Sequence, residues 1–134
     1  MKNDYQDILK DSKTIAVVGL SDNSERTSNQ VALYMQQHGY RIIPVNPTIT
    51  AALGEKAYSS LKDIPEKVDI VNIFRRSNDV PPVVDDAITI GAKTVWMQLG
   101  ISNEEAARKA EAAGLQVVQD KCIKVEHAHL MPGE

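Results

Sequence analysis

One cysteine in 134 residues, a net charge of -3 and no apolar run near the ~20 residues that cross a membrane are the shortages that bound this sequence. Cys122 alone cannot close an internal disulfide, and a lone thiol suits a reducing cytosol. The small acidic excess removes the general pull toward nucleic acid or an anionic membrane, so any anion must be bound locally. The opening MKNDYQDILKDSK has no apolar core of a secretory leader, and a cytoplasmic location is expected. With 43% hydrophobic and 25% charged residues, the chain is expected to form one globular domain over 1–134, without room for a separate catalytic domain.

Strand and helix patterns alternate along the chain without repeats, linkers or low-complexity stretches. A short helix is expected from Asp4 to Lys10, then a strand from Thr14 to Leu20 whose unbroken apolar run implies burial on both faces. A helix from Ser28 to His38 ends at Gly39, and a second strand spans Arg41–Val45. Gly54–Tyr58 reads as a short third strand at the sheet edge, with a helical turn near Ser60–Ile64. Strands at Val68–Phe74 and Thr94–Leu99 flank a helix over Asp79–Ile90, opened by Pro81 and Pro82. Ser102 and Glu105 fit a capping box for a helix ending at Gly114, Val117 and Val118 lie in a last strand, and Cys122–Glu134 has no clear pattern. Apolar strands joined by crossover helices imply an α/β fold, a single doubly wound parallel sheet with helices on both faces and strand order 3-2-1-4-5-6.

In such a sheet, ligands sit beyond the carboxyl ends of the strands, where strand order reverses. The sequence places Gly19-Leu20-Ser21, Asn46-Pro47, Phe74-Arg75-Arg76-Ser77, Gln98-Leu99-Gly100 and Asp120–Cys122 there. The first group is the most informative. Ile15–Ser28 (IAVVGLSDNSERTS) is a buried strand, a glycine and a polar turn opening a helix, an arrangement that gathers backbone N–H groups around a phosphate-sized space. It lacks the G-x-G-x-x-G of a dinucleotide turn, and the next strand ends in Asn46-Pro47 rather than an acidic residue for a ribose 2′-OH. The turn therefore suits a nucleotide but not NAD.

Five segments, IAVVGLSDNSERTS, GYRIIPVNP, VDIVNIFRRS, TVWMQLGI and DKCIKVEH, together resemble the small bacterial CoA-binding proteins, which are similar to the N-terminal domain of the succinyl-CoA synthetase α subunit. The resemblance runs from about residue 10 to residue 130. It implies a Rossmann-type fold that holds coenzyme A extended across the strand ends. It further implies that Gly19, Leu20 and Ser21 carry the pyrophosphate, that the adenosine lies against Asn46 and Pro47, and that Gln98, Leu99 and Gly100 line the pantetheine path. In the synthetase a separate domain supplies a phosphorylated histidine; no such domain is expected here, so synthetase activity does not carry over.

Each residue also has a plainer reading. Arg26, Thr27 and Ser28 open a helix, where cation, hydroxyl and dipole can act on one anion or where simple capping suffices. Asn46-Pro47 makes a good β-turn without any ligand. Phe74 can offer a ring to adenine while Arg75 and Arg76 approach phosphate, with one of the two arginines expected in solvent. Gln98 reads equally as a polar strand end. Cys122, His127 and His129 have a spacing that zinc ligands or a Cys122–His127 nucleophilic pair could use, but a buried cysteine is the simpler reading, and neither catalytic residues nor a metal are expected. His38 reads as a partner for its helix C-terminus. The expected function is binding of coenzyme A or an acyl-CoA without catalysis. The alternatives are an NAD(P)-binding enzyme or redox sensor and a regulatory module that reads CoA state for a protein partner.

Overall fold

The computed structural model describes residues 5–130. Its main sheet has five parallel strands in the order β2-β1-β5-β6-β7: β1 (Thr14–Val18), β2 (Arg41–Val45), β5 (Ile70–Ile73), β6 (Thr94–Met97) and β7 (Gln116–Val118). Side chains alternate across this sheet and build two cores. Ala16, Val18, Val71, Ile73, Val95 and Met97 face α3 (Val80–Thr89) and α4 (Glu104–Ala112), while Ile15, Val17, Ile42, Ile70 and Trp96 face α1 (Tyr5–Lys10), α2 (Thr27–Gln37) and α5 (Ile123–Leu130). Burial on both faces explains why the strands read as continuous apolar runs.

Three expectations are corrected. The third strand does not join the sheet: Leu53 and Gly54 take φ of 54° and 77°, the two left-handed positions of a tight hairpin turn, and fold β3 (Ala51–Ala52) antiparallel onto β4 (Glu55–Lys56). Its only backbone pairing with β2 is a lone parallel bridge between Val45 and Tyr58, which leaves Pro44 on an edge strand where a missing N–H is tolerated. Arg41 staples this ribbon to the sheet through Glu55 and both oxygens of Glu66. At α4 the cap is Asn103, whose side chain accepts from the Ala106 N–H at 2.9 Å, so Ser102 and Glu105 do not form the box. The unpatterned tail contains α5; its last residues, 131–134, and the expected helix start at Asp4 lie outside the described residues.

The amino edge of the sheet is held by Asp69, whose carboxylate accepts from the N–H groups of Lys13 at 2.8 Å and Thr14 at 3.1 Å and pairs with Lys93 at 3.5 Å. Burial pushes this carboxyl up, but the two N–H donors and Lys93 outweigh it and hold its pKa below the usual value. Because the folded pKa is lowered, the stabilisation is complete at neutral pH and fades as pH falls through about 4 and below. Asp69→Asn is expected to lower unfolding free energy by about 1–2 kcal/mol at pH 7 and by much less at pH 3. Urea titrations at both pH values test this; an equal loss at the two would exclude the charge as its source.

Candidate functional site

The chain leaves β1 for β2 on one side and returns to β5 on the other, so strand order reverses between β1 and β5. At their carboxyl ends stand Gly19 and Phe74. Gly19 has φ of 90°, and a Cβ built there would collide with the Phe74 carbonyl oxygen, with the carbonyl carbon only 3.1 Å away. The Gly19 N–H donates to the Val45 carbonyl and the Phe74 N–H to the Val18 carbonyl, both at 2.8 Å. Glycine is therefore needed at this position for two backbones to meet at the switch point.

Beyond Gly19 the turn is tied by its own polar groups. Leu20 is fully buried, so only its backbone is available, and its carbonyl accepts from Asn46 Nδ2 at 3.0 Å. Asn46 Oδ1 accepts from the Thr48 N–H and hydroxyl, so Asn46 clasps the β1 turn to the β2 turn rather than presenting a free amide. Ser28 Oγ accepts from the Ser21 N–H at 3.0 Å, and Asn29 Nδ2 donates to the Ser21 carbonyl at 2.9 Å. Ser21 Oγ and Asn23 Oδ1 close the next bends by accepting from the Asn23 and Glu25 N–H groups. The chain enters α2 through Arg26, whose side chain makes no capping bond. Gly19, Ser21, Arg26, Thr27, Ser28 and Phe74 line an open cleft of about 370 Å³. This brings together a helix N-terminus, three hydroxyl residues and a cation, the donors an anion requires. Asp22 and Glu25, in the same turn, do not line it.

A second cleft of about 180 Å³ opens on the opposite face of the same edge, between Val18, Val45, Pro47, Ser59, Leu61, Arg75, Val83 and Asp86. Pro47 and Arg75 thus meet, as the sequence placed them, but Ser59 and Asp86 join them unforeseen. Asp86 lies 3.8 Å from Lys62, which offsets its charge. Arg76 does not enter either cleft: its side chain is 90% exposed and pairs with Asp79 at 3.3 Å. Gly19 and Phe74 form the saddle between the two clefts.

The third group behaves differently. Gln98 is 4% exposed, and its Oε1 accepts from Asn72 Nδ2 and the Ile123 N–H, each at 3.3 Å. Leu99 is 66% exposed, and the Gly100 N–H donates to Asp120 Oδ1 at 2.6 Å. Cys122 is partly buried against the core on the α2–α5 face. His127 is 1% exposed with Nδ1 2.9 Å from the Tyr34 hydroxyl, and its ring meets His38 and Tyr40 edge-on. Burial pushes the Tyr34 phenol up. Nδ1–H of His38 donates to the Tyr34 carbonyl at 2.7 Å, the helix-end contact expected of it. Among the described residues no group of three or more His, Cys, Asp or Glu is arranged to hold a metal ion. Nor is any described helix long and apolar enough to cross a membrane. Asn29 and Asn72 were missed in the sequence: Asn29 is hidden among the polar residues that open α2, whereas Asn72 stands out as a polar residue in the apolar, buried β5.

Comparison with known proteins fits this geometry. The chain is 52% identical over 127 residues to the uncharacterized protein YneT of Bacillus subtilis, covering 95% of this chain and 94% of that one. It is 30% identical over 117 residues to acetate–CoA ligase [ADP-forming] II of Archaeoglobus fulgidus, covering 84% of this chain but 17% of the ligase. A hypothetical protein from Pyrococcus horikoshii superposes with a TM-score of 0.93 at 42% identity, covering 96% of this chain and 90% of the other. The dinucleotide-forming acetyl-coenzyme A synthetase 1 of Ca. Korarchaeum cryptofilum, solved with phosphate and ADP, superposes at 0.69 with 30% identity over 78% of this chain and 25% of the synthetase. The CoA binding domain model matches residues 13–128, and this chain belongs to that family.

Proposed function

We propose that this chain binds coenzyme A or an acyl-CoA across the carboxyl ends of its sheet and performs no chemistry on it. The observation that supports this best is the cleft at the switch point, where Gly19 passes under Phe74 and Ser21, Arg26, Thr27 and Ser28 form a rim for a pyrophosphate. Its neighbour on the other face, with Pro47 and Arg75, takes the adenosine end and the 3′-phosphate. The β2 end offers no carboxylate for a ribose 2′-OH, and Asn46 Oδ1, the amide acceptor there, already accepts from the Thr48 N–H and hydroxyl. This favours CoA over NAD.

Thermal unfolding with added ligand tests the reading. A ligand at tenfold excess over its Kd stabilises the folded state by about 1.4 kcal/mol, so CoA is expected to raise Tm by several degrees while NAD and NADP leave it unchanged. A shift with NAD or NADP and none with CoA would reverse the assignment. Hydrolysis or transfer of an acyl-CoA that disappears in Cys122→Ser would show that the chain is an enzyme.

A further inference from the structure

The cleft with Pro47 and Arg75 contains one carboxylate, Asp86, and the direction of α3 fixes how deep it lies. Helix α3 follows β5, which ends at the carboxyl edge, and leads to β6, which starts at the amino edge, so it runs back along the sheet. Val83 and Asp86 are three residues apart, neighbours on one helical face, and Asp86 stands about 4.5 Å further from the carboxyl edge. Arg75 and Pro47, just beyond the ends of β5 and β2, mark the mouth. Between mouth and carboxylate the walls are apolar. Val18 and Val45, paired across β1 and β2, form one, while Val83 and Leu61, from the helical turn at Leu61–Asp63, form the other. The result is a slot of about 180 Å³, below the roughly 300 Å³ at which sites for a whole drug-sized ligand begin. It suits one flat ring.

Asp86 is short of donors. Among the described residues its carboxylate has one ion pair, Oδ1 with Lys62 at 3.8 Å, which is beyond hydrogen-bond distance. We infer that Asp86 is the residue that selects the base: its carboxylate accepts from the exocyclic amine of an adenine lying in the slot with its ribose at the mouth. This inference rests on the CoA reading above and adds to it a choice among purines. The ring nitrogen that carries the ribose and the carbon that carries the amine lie on opposite sides of adenine, so a base entering from the mouth brings its amine to the Asp86 end. A carboxylate can only accept, and adenine supplies a donor at that position. Guanine and hypoxanthine carry a carbonyl oxygen there instead, which sets two acceptors face to face between apolar walls. Arg75, at the mouth, is left for the phosphate on the ribose.

Calorimetric titration with CoA and with its deaminated analogue, in which hypoxanthine replaces adenine, tests the assignment. The wild type is expected to prefer CoA by about tenfold or more. In Asp86→Asn the amide can turn either its oxygen or its NH₂ toward the base, so the preference is expected to fall to within about twofold, with the analogue bound more tightly than by the wild type. Distortion of the slot would weaken both ligands and could not produce that gain. Asp86→Ala is expected to weaken CoA by about tenfold and leave the analogue no weaker than in the wild type. Both variants keep the fold, because only the loose pair with Lys62 is lost. Wild-type protein that binds CoA without preferring it to the analogue, or a preference that survives in either variant, would overturn the Asp86 assignment alone. Wild-type protein that binds neither ligand overturns the CoA reading together with it.

Discussion

Gly19→Ala is expected to lower unfolding free energy by about 3 kcal/mol, roughly a 10 °C fall in Tm for a domain of this size, and to abolish ligand binding in whatever fraction remains folded. Two costs add. The left-handed backbone at φ of 90° strains any residue with a Cβ by about 1–2 kcal/mol, and the methyl group must displace the Phe74 carbonyl, which is fixed because the Phe74 N–H is bonded to Val18. Relief can come only by spreading β1 from β5, the two strands whose ends form the saddle between the clefts. Gly91 supplies the internal control: its φ is 75°, but nothing lies within 4 Å of the added Cβ, so Gly91→Ala is expected to cost only the strain, about 1 kcal/mol. Denaturant unfolding of both variants measures the difference. Equal losses would mean that the close approach of Gly19 to Phe74 contributes nothing.

The contrast also shows what the sequence disclosed. The apolar runs at Thr14–Leu20, Val68–Phe74 and Thr94–Leu99 are legible as strands because both faces of the sheet are covered by helices, and that pattern has few other solutions. The third strand misled because Gly54–Tyr58 has the composition of an edge strand, while its pairing was decided by Leu53, a non-glycine residue in a left-handed conformation that composition does not flag. The α4 cap slipped by one residue because Ser102 and Asn103 are both good caps. Only the Ser77 hydroxyl and carbonyl, which bond the Ser102 N–H and Asn103 Nδ2, settle the choice from a distant loop.

For the site, positions were legible and orientations were not. Every strand-end group falls at the carboxyl edge, yet Leu20 turns its side chain into the core, Asn46 spends its amide on neighbouring turns, and Arg76 leaves for solvent. Those differences depend on side-chain partners far away in sequence. Asn72 illustrates the reverse case: a polar residue within VDIVNIF signals a buried hydrogen bond, but nothing local identifies Gln98 as its partner.

The arginines give the second large effect, because CoA carries both a pyrophosphate and a 3′-phosphate. Arg26 lines the cleft with Ser21, Thr27 and Ser28, whereas Arg75 lines the cleft with Pro47 on the opposite face. If the ligand crosses the saddle as proposed, Arg26 meets the pyrophosphate and Arg75 the 3′-phosphate. A charge-assisted hydrogen bond of this kind changes affinity by about one to two decades. Arg75→Ala is therefore expected to weaken CoA by that factor while barely changing the affinity for dephospho-CoA. Arg26→Ala is expected to weaken both ligands alike, since both keep the pyrophosphate. Arg76→Ala is expected to leave both affinities unchanged, because its guanidinium lies in solvent beside Asp79. Calorimetric titration of the three variants with the two ligands yields six comparisons against wild type. A dephospho-CoA-sensitive Arg75 with a CoA-selective Arg26 would reverse the ligand end for end across the strand ends. Wild-type affinity in all three would leave the phosphates to the N–H groups of the Gly19 turn and the start of α2.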